Sequence, residues 1–202
     1  MILNSIYNKL NSIFLRPKGG DYKSLSRYNL SIDKKCYVKC RNLLFQKRNE
    51  HFPLPKEFHE KFRKKLYLEH SPFVHTLKEY QINGEKWLQK RHRNLQYVKF
   101  FNHLNNIRFS EDFITKEKIP NAFDTHLKLK NFLKLYNLIK NNGYLSKGFE
   151  NRLIMVLNKN YIDNKDLKDD YEIWSGHHRA ACLFALGFKE IQVLLLNFNF
   201  KK

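Results

Sequence analysis

Five consecutive residues near the end of the chain, Ser175-Gly176-His177-His178-Arg179, combine side chains and backbone freedom suited to holding phosphate. Before them Tyr171 to Trp174 is aromatic and β-branched, which reads as a strand. After them Ala180 to Leu186 is apolar on every face, which reads as a buried helix ended by Gly187. A helix starting at this point offers N–H groups that have no intrahelical partner, at the positive end of its dipole. Ser175 is placed to act as N-cap, Gly176 lets the backbone come close to a ligand, and Arg179 adds a planar fork of charged donors. His177 or His178 can donate to a phosphate bridge or carry a proton, because an unperturbed imidazole titrates near neutral pH. Successive helical side chains point about 100° apart, so the three cannot all serve one atom.

The next apolar run, Ile191 to Leu196, reads as a strand covered on both faces. With the strand before it and the helix-Gly-Phe-Lys-Glu-Ile-x-Val strand after it, Gly176-His177-His178-Arg179 resembles the nucleotide-binding signature of the ParB/sulfiredoxin superfamily. The resemblance spans Ile114 to Phe198. It implies a small mixed-sheet α/β (α+β) domain with a cofactor site at Ser175, Gly176, His177, His178 and Arg179. Sulfiredoxin-type members carry cysteine where this chain has His177, so sulfinic-acid reduction is not expected. Partition-type members continue into a helix-turn-helix, and this chain ends at Lys202. Kinase-like members often place aspartate before the glycine, where this chain has Ser175, which moves the search for a catalytic carboxylate elsewhere.

In that superfamily the segment leading into the preceding helix lies across the nucleotide from the signature turn. Here the segment is Asp124-Thr125-His126. The resemblance implies Asp124 as general base for an acceptor hydroxyl or as a Mg²⁺ ligand, and His126 as a substrate contact. The residue types alone equally allow Asp124 to be the N-cap of the helix that follows. The activity implied is a kinase using ATP or ADP with Mg²⁺, acting on a small hydroxyl compound such as a sugar or amino-acid derivative. Relatives of this kind resemble proteins of bacterial surface-polysaccharide pathways. The alternative is a non-enzymatic, nucleotide-switched or nucleic-acid-binding protein.

The elements that must position these residues follow from patterning. The chain has 202 residues, 42% hydrophobic and 15% aromatic, enough for a sizeable core. Its formal net charge of +19 attracts polyanions, although the basic residues are spread along the chain rather than gathered in one block. Three cysteines, Cys36, Cys40 and Cys182, make no disulfide framework and suit a reducing cytoplasm. Cys36 and Cys40 have the spacing to share one helical face, a weak metal signal without a further ligand. Oligomeric state is left open.

Along the chain we expect three segments. Residues 1–20 carry an amphipathic helix, Met1 to Leu15, closed by Arg16-Pro17. Residues 1–18 would suit the protein's own core, a dimer partner or an anionic membrane surface, the last of which would make the protein peripheral to a membrane. Residues 21–110 form a basic, mainly helical extension with Ser71-Pro72 as a helix start and Asn83-Gly84 as a stop. Residues 111–202 form the nucleotide-binding domain. In it Leu127 to Ile139 is a strongly amphipathic helix stopped at Asn141-Asn142-Gly143, and Leu153 to Leu157 is a strand. Asp163, Asp166, Asp169 and Asp170 lack calcium-loop spacing and read as a solvated loop. His70, His75, His92 and His103 read as surface or core-edge residues, with His75 the one considered for a substrate pocket.

Overall fold

The computed structural model describes residues 30–46, 66–108, 124–144, 154–158 and 171–198. Ten elements run through them: β1 (Leu30–Lys39), β2 (Leu43–Gln46), β3 (Leu66–Tyr67), α1 (Pro72–Lys90), α2 (Gln96–Arg108), α3 (Thr125–Asn142), β4 (Ile154–Asn158), β5 (Tyr171–Ser175), α4 (His177–Ala185) and β6 (Glu190–Phe198). The strands form one mixed sheet in the order β1-β6-β4-β5-β2-β3. β4 runs parallel to β6 and antiparallel to β5, and β5 runs parallel to β2. The α/β mixed-sheet class expected from the sequence is the class observed.

Apolar side chains on both faces suit β4 and β6 to the interior of the sheet. In β4, Ile154 and Val156 join the main core under the helices, while Met155 and Leu157 join a second cluster on the other face. In β6, Val193 and Leu195 go one way and Leu194 and Leu196 the other. An unbroken apolar run is what a strand buried on both faces requires. The helices supply the main core through Phe73, Leu77, Tyr97, Phe132, Tyr136 and Leu183, all buried. Each such side chain removed from water stabilises the fold by roughly 1.5–3 kcal/mol before entropy is counted.

Helix boundaries follow local chemistry. Ser71 caps α1 through its hydroxyl, which accepts from the Val74 N–H at 3.2 Å, and Pro72 follows at the first helical position. Gly84 breaks α1 with φ 77° and ψ 177°, at the stop expected there. α4 ends in a Schellman arrangement: the Phe188 N–H reaches the Leu183 carbonyl at 3.1 Å and the Gly187 N–H reaches Phe184 at 3.0 Å. Gly187 supplies the left-handed residue, φ 86°, that this stop needs.

Two expectations are corrected. Within the segment expected to be mainly helical, α1 and α2 are helix, but residues 30–46 and 66–67 are mostly strand and extend the same sheet across the boundary expected at residue 110. β1 pairs with β6 from Leu30↔Phe198 to Lys39↔Glu190, with a bulge between Ile32 and Lys34. Cys36 lies within that strand and Cys40 in the 3₁₀ turn after it, so they share no helical face. Among the described residues no helix is long and apolar enough to cross a membrane. The amphipathic helix expected at Met1 to Leu15 and the Asp163–Asp170 cluster lie outside the described residues.

Candidate functional site

The signature turn is built by a strand that ends late and a helix that starts without a side-chain cap. Ser175 still pairs with Met155 in the β4–β5 ladder, so it is the last strand residue and not the N-cap expected for it. Gly176 takes the N-cap position with φ 93° and ψ 21°, and no side chain caps the helix. A Cβ at residue 176 would lie 3.2 Å from the Ile154 Cα and 3.1 Å from its Cγ1. The glycine is therefore required by the approach of β4 as well as by its left-handed backbone. The first intrahelical bond runs from the Ala180 N–H to the Gly176 carbonyl at 2.9 Å, so the N–H groups of residues 177 to 179 lie ahead of the ladder.

The three signature side chains leave this turn in different directions. His177 turns towards the end of β2, its Nε2 3.2 Å from the Phe45 carbonyl and its ring edge-on to Phe45. A carbonyl only accepts, so this contact places the proton on Nε2. His178 enters the helical layer. Its ring centre lies 4.5 Å from Phe73 and 5.0 Å from Phe132, and its Nε2 is 2.8 Å from the Tyr97 hydroxyl. Arg179 goes the third way, its Nη2 3.3 Å from where a Cβ on Gly176 would stand. Its positive charge also acts on the Tyr144 phenol, whose pKa burial nonetheless raises.

The imidazoles were expected to titrate near neutral pH, and burial alters that. Desolvation lowers the His177 pKa to about 4, against a smaller opposing effect of the Phe45 carbonyl. Burial lowers His178 to about 3, helped by the nearby charges of Lys128, His177 and Arg179. Both rings are neutral at pH 7 and act as hydrogen-bonding packing groups. Neither is poised to take up or release protons near neutrality.

The first turn of α3 reaches the same neighbourhood. The Tyr97 hydroxyl that meets His178 also lies 3.3 Å from the Lys128 carbonyl. It has one proton to give. If that proton goes to Lys128, the His178 Nε2–H donates to the phenol oxygen; if it goes to His178, that imidazole carries its proton on Nδ1. Asp124 realises the capping alternative, its Oδ1 accepting from the Leu127 N–H at 2.9 Å. His126 is exposed beside it, with its ring centre 5.1 Å from His92.

The structure thus joins α3 to the signature turn through Tyr97 and Lys128, neither of which was singled out from sequence. Tyr97 stands at the head of an aromatic run, Tyr97 to Phe101, and that run was the available signal. His92 is half-buried, as the core-edge reading expects, and nothing local in the sequence marks it as a partner of His126. Among the described residues no group of three or more His, Cys, Asp or Glu side chains could hold a metal ion. Compared with protein-family models, curated proteins and solved structures, the chain has no match. Fold and site together define a mixed-sheet α/β protein with a glycine-capped strand-to-helix turn walled by two neutral histidines and an arginine.

Proposed function

We propose that this protein is a nucleotide-dependent phosphotransferase whose signature turn, residues 175–179, holds the phosphates of ATP or ADP. The observation that carries the reading is the start of α4: left-handed Gly176, no capping side chain, and the Arg179 guanidinium beside it. Such a start favours an anion through N–H groups and dipole, and Arg179 adds charge-assisted donors. The acceptor is a small hydroxyl compound, a sugar or amino-acid derivative of the surface-polysaccharide kind, bound towards α3 where His126 is exposed.

In this reading Asp124 accepts the hydroxyl proton. His177 and His178 hold the turn in place through Phe45 and Tyr97 rather than moving protons. Catalysis then rests on positioning and charge neutralisation. Mg²⁺ would contribute charge neutralisation on the phosphates. The residues fit it poorly, because the Oδ1 of Asp124 is committed to its helix and no three-ligand group lies among the described residues. No step is therefore assigned to the metal.

Calorimetric titration with ATP and ADP tests the site. Arg179→Ala should weaken binding at least about tenfold, the scale of one lost charge-assisted contact. Unchanged affinity in that variant would remove the phosphate site. Phosphate transfer to a panel of sugars and amino acids then tests the reaction. The second reading, a nucleotide-switched or nucleic-acid-binding protein, is favoured by the net charge of +19. It predicts nucleotide or polynucleotide binding without turnover of any acceptor.

A further inference from the structure

We propose that His92 and His126 together bind a first-row transition-metal ion such as Zn²⁺, at the outer end of the helical layer. His92 lies in the 3₁₀ turn His92–Asn94 between α1 and α2, and His126 lies in the first turn of α3. Their ring centres are 5.1 Å apart with planes at 55°. Two imidazoles on one tetrahedral ion, each at about 2.0–2.1 Å, would hold their ring centres about 5 Å apart. The pair has this spacing before any ion is added.

A second observation concerns His92 itself. Its Nε2 is buried and has no hydrogen-bond partner. A buried ring nitrogen left unpaired is costly, and a bound ion would recover that cost. The Thr125 backbone hydrogen-bonds the His92 ring; the charge of Arg93 opposes a cation here and that of Asp124 favours one.

Imidazole ligands select zinc, cobalt, nickel and copper over magnesium, which prefers oxygen donors. No third His, Cys, Asp or Glu among the described residues completes the group. The ion would therefore keep positions open to water or to an oxygen anion, as catalytic ions do and closed structural ones do not. This site does not depend on phosphate binding at the signature turn, and either can fail alone.

The test uses the full chain with no affinity tag. Titration with Co²⁺ followed by visible absorption, and with Zn²⁺ by calorimetry, should give one equivalent bound. His126→Ala and His92→Gln should each weaken binding at least about tenfold, a loss seen even when a supporting contact of a metal ligand is removed. His75→Ala, on the exposed face of α1 beside Glu79, should leave binding unchanged. Because His126 is exposed, His126→Ala is expected to fold and decides the matter should His92→Gln not fold. Absence of binding, or several equivalents that ignore both substitutions, would overturn the proposal.

Discussion

Two pairs of histidines in this molecule are opposites. His177 and His178 are neighbours in sequence, yet one meets the Phe45 carbonyl and the other the Tyr97 hydroxyl, on different walls of the turn. His92 and His126 are far apart in sequence, yet their ring centres lie 5.1 Å apart, tilted by 55°, across two segments of the helical layer. The adjacent pair is satisfied and locked in the neutral state. The distant pair leaves a buried nitrogen without a partner. Histidines side by side at a helix start suggest shared chemistry, but the helical turn separates them; the chemistry that two imidazoles can share is assembled by tertiary packing instead.

The sharpest way to break this comparison is to truncate one member of each pair. His178→Ala removes a ring packed among Phe73, Tyr97 and Phe132 and leaves Tyr97 without its nitrogen partner. We expect a loss of about 3 kcal/mol in denaturant unfolding, in line with large-to-small core substitutions. His126→Ala on the exposed end of α3 should change stability by less than about 0.5 kcal/mol in the absence of metal. Equal losses in the two variants would mean that the two environments do not differ as described.

Acid sensitivity sharpens the same contrast. The folded-state pKa values of His177 and His178 are lowered from 6.5 to about 4 and about 3. Below pH 6.5 the unfolded chain takes up protons that the folded chain refuses, so the unfolded state binds more. Stability contributed by the neutral rings is fully present above pH 6.5 and is lost as pH falls towards 4 and 3. Unfolding free energy measured from pH 7 down to pH 4 should therefore drop. His178→Phe keeps a ring in the cage but cannot protonate, and its slope should be shallower by about one proton. Parallel slopes in wild type and variant would place the His178 imidazole in solvent.

Much of the carboxy-terminal unit was legible because its signals are local. Asp124 and Gly143 bracket α3, and the strand-turn-helix-Gly187-strand order around the signature is observed; outside that unit, Ser71-Pro72 starts α1 for the same local reason. Strands β1 to β3 were not legible. β1 is an edge strand whose middle residues, including Asp33, Lys34 and Lys35, are exposed on both faces, so no apolar alternation marks it. β3 has two residues and exists through its pairing with β2. The histidine pairings failed for a related reason: the burial that lowers their pKa values comes from Phe45, Phe73, Tyr97 and Phe132, none of them neighbours in sequence. Residue types disclosed where a site would be, and long-range packing decided which of those residues could do chemistry in it.

The smallest expected effect on stability separates the two roles of Asp124. Its Oδ1 bond to the Leu127 N–H is a cap, and Asp124→Ala should cost about 1 kcal/mol in thermal or denaturant unfolding. Asparagine caps about as well as aspartate, because its side-chain carbonyl can accept the same N–H bond. Asp124→Asn should therefore melt within a few tenths of a kcal/mol of wild type. What asparagine cannot do is accept a proton from an acceptor hydroxyl. If Asp124 is the base, Asp124→Asn loses phosphate transfer by about 100-fold or more while nucleotide affinity and stability stay put. Full transfer activity in that variant would leave Asp124 a helix cap and remove it from the role of base. The two substitutions thus divide one carboxylate into its structural oxygen and its charge, and only the charge can distinguish a reactive α3 terminus from an ordinary one.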